Sequence, residues 1–177
     1  MNDNRHHIVH LQLIDPDDRP RFAELNVSAT FQLLWAYPGP DVVELTEPLI
    51  GSERASQMYP AKTVHEHGGR IVGGSDYFVT DLNPLLAIET AITRQDPWSN
   101  DGNVLNAEEA LDLETMIDAY TINGAWQMGL DDKQGSIEVG KRADLVVLDR
   151  NLFEIPASEI SDVNVTMTVF EGQTVYE

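Results

Sequence analysis

The chain has 177 residues, 30 of them acidic and 11 basic, for a formal net charge of −19, with 42% hydrophobic residues, 23% charged residues and no cysteine. Length and composition describe one globular domain, or one with a small appendage, rather than a disordered segment. So acidic a surface repels phosphate backbones and anionic lipids, and the lack of cysteine excludes disulfides, thiol catalysis and cysteine-ligated metal, leaving His, Asp and Glu as the metal donors.

The polar start Met1-Asn2-Asp3-Asn4-Arg5 is not a signal peptide, and no stretch reaches the roughly 18 apolar residues of a membrane span, so the cytoplasm is the expected compartment. His7-Ile8-Val9-His10-Leu11 reads as a buried strand. Pro16 to Leu25 then fits a short helix with Asp15 as its cap and Asn26 as its end. Val27 to Gln32 is a second strand, rich in β-branched and aromatic residues, and Arg70-Ile71-Val72 a third, closed by Gly73-Gly74-Ser75-Asp76. Strands separated by helical or loop segments predict parallel pairing through crossovers. Leu33 to Gly69, with Pro38, Pro40, Pro48 and Pro60, reads as a long irregular loop of the kind that carries a binding site.

Pro84 to Ile92 reads as a helix capped by Asn83 or Asp81, and Arg94 to Asn103 as a loop. Asn106 and Glu109 have the spacing of a capping box at the start of a second helical stretch. Met116, Ile117, Tyr120, Ile122, Ala125 and Trp126 continue a helical spacing, with a break expected near Asn123-Gly124 or at Gly129. Ala143 to Asp149, Val163 to Phe170 and Thr174 to Tyr176 are β-like, with Glu171-Gly172 as a hairpin turn between the last two.

Two residues stand where strands end. His10 closes the first strand and Asp76 follows the third; at the carboxyl ends of parallel strands an imidazole and a carboxylate can share a metal or a water. Each also has an ordinary reading, His10 as a hydrogen-bonded strand residue and Asp76 as a helix cap. Alternation puts His6 on the face of His10 and His7 on the other. His65 and His67 have the spacing of a metal pair, but they precede Gly68-Gly69 at what reads as a helix end.

The segment Gly135-Ser136-Ile137-Glu138-Val139-Gly140-Lys141-Arg142-Ala143-Asp144-Leu145-Val146-Val147-Leu148-Asp149 resembles the stretch in which amidohydrolase-superfamily enzymes leave the barrel and rejoin a small β-sandwich. Tyr120 to Trp126 resembles the helix before it. Arg5 to Gln12 followed by Asp18 to Val27 is similar to the sixth strand and helix of one branch, the YtcJ-like and N-substituted formamide deformylase-like enzymes, and Gly74-Ser75-Asp76 to its eighth strand. The resemblance runs from Asn4 to Tyr176.

It implies an α/β fold: the C-terminal part of a (β/α)8 TIM barrel, strands six to eight with their helices, over residues 1–130, and strands of a small β-sandwich over 131–177. It implies hydrolysis of an amide or other C–N bond of a small molecule, with a divalent metal, zinc in most of the family. His10 matches a metal ligand, and Asp76 a ligand or the group that takes the proton from the attacking water. Gln32, at the end of the family's seventh strand, matches a residue lining the substrate cleft, though it also reads as an ordinary strand-end amide. The family's first-strand His-x-His, its middle-strand lysine and its fifth-strand histidine have no counterpart here, so the chain is expected to be the C-terminal portion of a longer enzyme, with an incomplete metal site and no activity alone. Its exposed sheet edges would then be covered by self-association as a homo-oligomer or by a missing N-terminal half. The alternative is a non-catalytic remnant or an oligomeric binding or assembly module. No nucleic-acid or membrane partner is expected.

Overall fold

The computed structural model describes residues 3–99 and 101–177; Met1 and Asn2 of the polar start, and residue 100 of the segment read as a loop, lie outside the described residues. Two three-stranded sheets organise the chain. In the first, β1 (His7–His10), β2 (Ser28–Phe31) and β3 (Ile71–Gly73) are parallel, with β2 in the middle. His10 is in register with Phe31, and Phe31 with Gly73, so the three strands end level. All four residues of β2 are buried, whereas Ile8 and Val9 of β1 are 52% and 43% exposed. Burial is thus graded from the inner strand to the open β1 edge, as expected of a parallel sheet covered only in part.

Asp15 caps a 3-10 turn, Pro16–Asp18, and its side chain accepts the Asp17 N–H. The helix expected from Pro16 to Leu25 is divided, because Pro20 stands between that turn and α1 (Arg21–Glu24). Asn26, in a left-handed conformation at φ 52°, turns the chain into β2. The segment 33–69 corrects the expected irregular loop. It is mostly helical: a 3-10 turn Leu33–Trp35, a π-helix Asp41–Thr46 running into α2 (Glu47–Ile50), then α3 (Ser52–Ala55) and α4 (Ala61–Glu66). Pro40 and Pro60 stand at the starts of the π-helix and of α4, where a missing N–H leaves nothing unsatisfied, while Pro48 sits inside the unbroken run from Asp41 to Ile50 where the π-helix passes into α2.

Asn83, not Asp81, caps α5 (Pro84–Thr93), its side chain accepting the Leu85 N–H at 3.0 Å. The capping box of Asn106 and Glu109 does not form. Asn106 has φ 48° and turns its amide to the carbonyls of Ala55 and Met58, while Glu109 is buried and accepts hydrogen bonds from the backbone N–H and hydroxyl of Thr63. The long-range partners outcompete the local box because both side chains face the core. Asp112 instead caps α6 (Leu113–Tyr120), and α7 (Ile122–Gln127) follows a break at Thr121, two or three residues earlier than the Asn123-Gly124 expectation.

The core gathers Phe31, Leu33, Met58, Tyr59, Val64, Ile71, Met116 and Ile160 around the first sheet. Ile160 belongs to a 3-10 segment, Ala157–Asp162, that packs on α5 and donates the Ser161 N–H to the buried carboxylate of Glu89 at 2.7 Å. The second sheet is antiparallel, in the order β4 (Leu145–Leu148), β5 (Val165–Phe170), β6 (Gln173–Tyr176). Glu171 and Gly172 both have positive φ, 47° and 79°, the geometry of a tight two-residue hairpin turn. Val146 and Val175 on this sheet are each 61% exposed. Among the described residues no helix is long and apolar enough to cross a membrane.

Candidate active site

Level strand ends bring three of the sequence candidates to one rim. His10 is the last residue of β1, Gln32 the first after β2, and Asp76 the third after β3. His10 has φ 72° and is half-buried; its imidazole stacks on the indole of Trp35 with centroids 5.5 Å apart and planes 9° apart. Trp35 closes the 3-10 turn that β2 feeds, so two adjacent strands supply the two rings. Gln32 is buried and its Oε1 has no protein partner, while its Nε2 lies where a side chain on Gly74 would meet it. A buried amide at the strand ends whose oxygen has no partner is free to bind a ligand or water.

Asp76 is exposed, at φ 54°, with its carbonyl accepting the Val79 N–H at 2.7 Å. It is not a helix cap, because the next helix, α5, opens eight residues later on Asn83. His6 and His7 are exposed, and His65 and His67 lie exposed at the end of α4, with His65 3.5 Å from the Thr115 hydroxyl. No group of three or more His, Asp or Glu placed to hold a metal occurs among the described residues. A catalytic zinc takes three protein ligands in most sites, so the donors present do not by themselves fit the metal.

Beside this rim lies a cavity of about 470 Å³, within the range of small-molecule sites. Its walls include Trp35, on the side away from His10, the rings of Tyr37, Tyr59 and Trp98, the carboxylate of Asp41, and Val79 and Thr80, which follow Asp76. Tyr37 and Trp98 meet edge to face at 6.4 Å, and Gln12 donates to the Tyr59 hydroxyl at 3.0 Å. Burial pushes both phenols above the usual tyrosine value; Asp96 and then Asp41 raise Tyr37 further, while at Tyr59 the Gln12 hydrogen bond and the Arg94 charge offset part of the rise and Asp41 adds a smaller one. The phenols therefore stay neutral through ordinary pH. Sequence reasoning did not single out these wall residues. The signal was present in Leu33-Leu34-Trp35-Ala36-Tyr37-Pro38-Gly39-Pro40-Asp41, aromatic and proline-rich directly after a strand.

Behind Tyr59 stands Arg94, fully buried, donating to the carbonyls of Leu105, Tyr59 and Met58. At the opposite, amino end of the sheet the guanidinium of Arg70 covers the Trp126 ring at 3.9 Å, with that of Arg5 at 4.9 Å. The two ends differ in kind: one clamps side chains together, and the other holds open space.

A model described as the amidohydrolase family matches residues 1–176. The chain is 28% identical over 177 residues to YtcJ of Bacillus subtilis, covering 99% of this chain and 33% of that protein. It is 31% identical over 121 residues to N-substituted formamide deformylase of Arthrobacter pascens, covering 68% of this chain and 22% of that one. Among solved structures, an adenosine deaminase from Xanthomonas campestris with bound zinc superposes with a TM-score of 0.65 at 24% identity, over 96% of this chain and 36% of that one. The chain thus spans a third or less of the length of these two curated relatives.

Proposed function

The chain belongs to the amidohydrolase family, and from that premise we propose that it is the C-terminal portion of a metal-dependent hydrolase acting on an amide or other C–N bond of a small molecule. In this reading β1, β2 and β3 are the sixth to eighth strands of a (β/α)8 barrel, residues 1–130 the barrel part, and 131–177 the sandwich part. The observation that carries it is the level ending of three parallel strands, which sets His10, Gln32 and Asp76 on one rim beside an aromatic cavity. His10 would be a metal donor, Asp76 a donor or the base that takes a proton from the attacking water, and Gln32 a substrate contact. In the family the ion, zinc in most members, acidifies water and polarises the scissile carbonyl. Two donors do not make that site, so the remaining ligands would come from an N-terminal half.

Zinc binding and turnover test this together. The chain alone is expected to bind zinc weakly and below one equivalent in competition with a chromophoric chelator, and to hydrolyse no N-formyl or other amide substrate. Tight stoichiometric zinc with turnover would overturn the incomplete site.

The exposed apolar residues Ile8 and Val9 on the free β1 edge favour a second reading, an oligomeric binding or assembly module without catalysis. Solution mass separates them. A stable homo-oligomer that does not dissociate when an N-terminal half from a relative is co-expressed supports the second; a one-to-one complex that gains zinc supports the first.

A further inference from the structure

We propose that the cavity beside the strand ends takes a substrate carrying a positively charged amine next to an apolar or aromatic group. This rests on the reading of the strand ends as an active site, and it names the part of the substrate that lies away from the reacting bond.

Four aromatic residues, Trp35, Tyr37, Tyr59 and Trp98, line the cavity, and among the described residues the one charged residue of its lining is Asp41. Aromatic faces carry a negative quadrupole and attract cations, and the attraction grows where water is excluded. Asp41 adds a full negative charge at the mouth. Asp96 adds a second from behind the wall: it accepts the Trp98 N–H at 2.9 Å, which fixes the turn presenting that indole. Both carboxylates act on Tyr37, whose phenol is held in its neutral, hydrogen-bonding form. Arg94 stands behind Tyr59 and not on the cavity wall: its guanidinium is held by three carbonyls, and its charge acts on the Tyr59 phenol in the opposite sense to Asp41.

Space is built for the same purpose. Tyr37 packs against Gly39, where an added Cβ would stand 2.7 Å from the Tyr37 ring, so the glycine makes room for the phenol on the cavity wall. A carboxylate-bearing substrate would meet like charge from Asp41 and no counter-ion on the walls. A neutral one would gain only the apolar contact.

Isothermal titration of the full chain with benzylammonium, benzyl alcohol and benzoate reads this without turnover. Benzylammonium is expected to bind tightest and benzoate weakest. Asp41→Asn is expected to weaken benzylammonium roughly fivefold, the size of one partly screened charge contact, and to leave benzyl alcohol unchanged. Trp98→Ala, at a residue 61% exposed and so tolerant of truncation, is expected to weaken both. Equal affinity for benzyl alcohol and benzylammonium, tighter binding of benzoate, no effect of Asp41→Asn, or no saturable heat with any of the three would each overturn the proposal. A chain that binds benzylammonium but gains no zinc or activity with an N-terminal half keeps this inference and loses the hydrolase reading.

Discussion

The imidazole of His10 and the indole of Trp35 lie almost parallel, 5.5 Å apart between centroids and inclined by 9°. One ring ends β1 and the other ends the turn after β2, so the stack ties two neighbouring strand ends at the rim. It also fixes which way a candidate metal donor points, since a stacked imidazole cannot swing about its Cα–Cβ bond without losing the contact. Trp35→Ala is expected to release His10 and to lower stability by about 1–2 kcal/mol, less than a fully buried tryptophan would because Trp35 is half-buried. In proton NMR the His10 ring signals, shifted upfield by the indole, should return to unstacked values in Trp35→Ala and stay near their original place in Trp35→Phe. Unmoved signals in Trp35→Ala would show that the stack does not hold the ring.

The rim was legible in the sequence and the cavity wall was not, for a physical reason. Val27 to Gln32 and Arg70 to Val72 are short runs with β-branched residues, closed by glycine or polar residues, and local pattern decides such strands. The segment 33–69 is decided by tertiary contacts. Its run Asp41–Ile50 is π-helical over its first six residues and so off the α period, its other helical pieces are three to six residues long, too short to show periodicity, and its prolines read as loop signals although Pro40 and Pro60 stand at helix starts. Asn106 and Glu109 failed in the same way: a sound local motif lost to the carbonyls of Ala55 and Met58 and to Thr63, partners about fifty residues away in sequence. His10 and Asp76 could be named because strand ends are local features, and Gln32 only through the family resemblance. The ring cluster could not, because Trp98 joins it from a distant loop.

Asp112 gives a pH prediction with a definite sign. Its carboxylate accepts the Thr115 N–H at 2.7 Å, and that bond holds its carboxyl below the usual aspartate value against a smaller opposing effect of burial. A folded-state pKa below the unfolded one means that the cap stabilises α6 above the ordinary aspartate range and is lost as pH falls through the lowered value. Asp112→Ala is expected to cost about 1 kcal/mol in urea unfolding at pH 7, with the gap to the parent chain narrowing towards pH 3. Asp112→Asn, which keeps the acceptor without the charge, should show a smaller loss and a flatter profile. A gap of equal size at both pH values would remove the cap from the account.

Arg94 follows a different logic. It ends α5 in a left-handed conformation at φ 57°, fully buried, with its guanidinium bonded to three carbonyls that no other side chain serves as a set. Burial pushes it down to about 10, partly offset by Glu109. The charged form is thus penalised in the fold, and that penalty is relieved only as pH rises past about 10, so it is constant through neutral pH. Arg94→Met is expected to lose about 3 kcal/mol or more, because it removes the side-chain donor from the buried Tyr59 and Leu105 carbonyls and leaves Asn106 alone on that of Met58. Arg94→Lys should recover only part, since one ammonium cannot span the three acceptors. Thermal unfolding of the three chains should keep this order at pH 6, with the spacing between the parent and Met chains unchanged from pH 6 to pH 9; a Met variant as stable as the Lys variant at pH 6 would contradict it.

Gly73 ends β3 beneath the ring of Tyr120, and an added Cβ would overlap the Tyr120 Cε2 and Cζ atoms. The reason for glycine here is steric, since its φ is not among the positive values of the chain. Tyr120 cannot yield cheaply: it stands at the end of α6, partly buried, and burial alone pushes its phenol up to about 12. At the next position the neighbour is the Gln32 Nε2, the tip of a flexible side chain 2.9 Å from an added Cβ, which can move at small cost. Gly73→Ala is therefore expected to lose about 1–3 kcal/mol by overpacking and Gly74→Ala about 1 kcal/mol or less. Gly74→Ala should instead shift the side-chain amide signals of Gln32, displacing a rim residue while leaving the fold intact. Combining Gly73→Ala with Tyr120→Leu is expected to destabilise less than the sum of the two, because the smaller side chain vacates the space the new methyl needs. Simple additivity in urea unfolding would mean that the Tyr120 ring does not set the requirement for glycine at the end of β3.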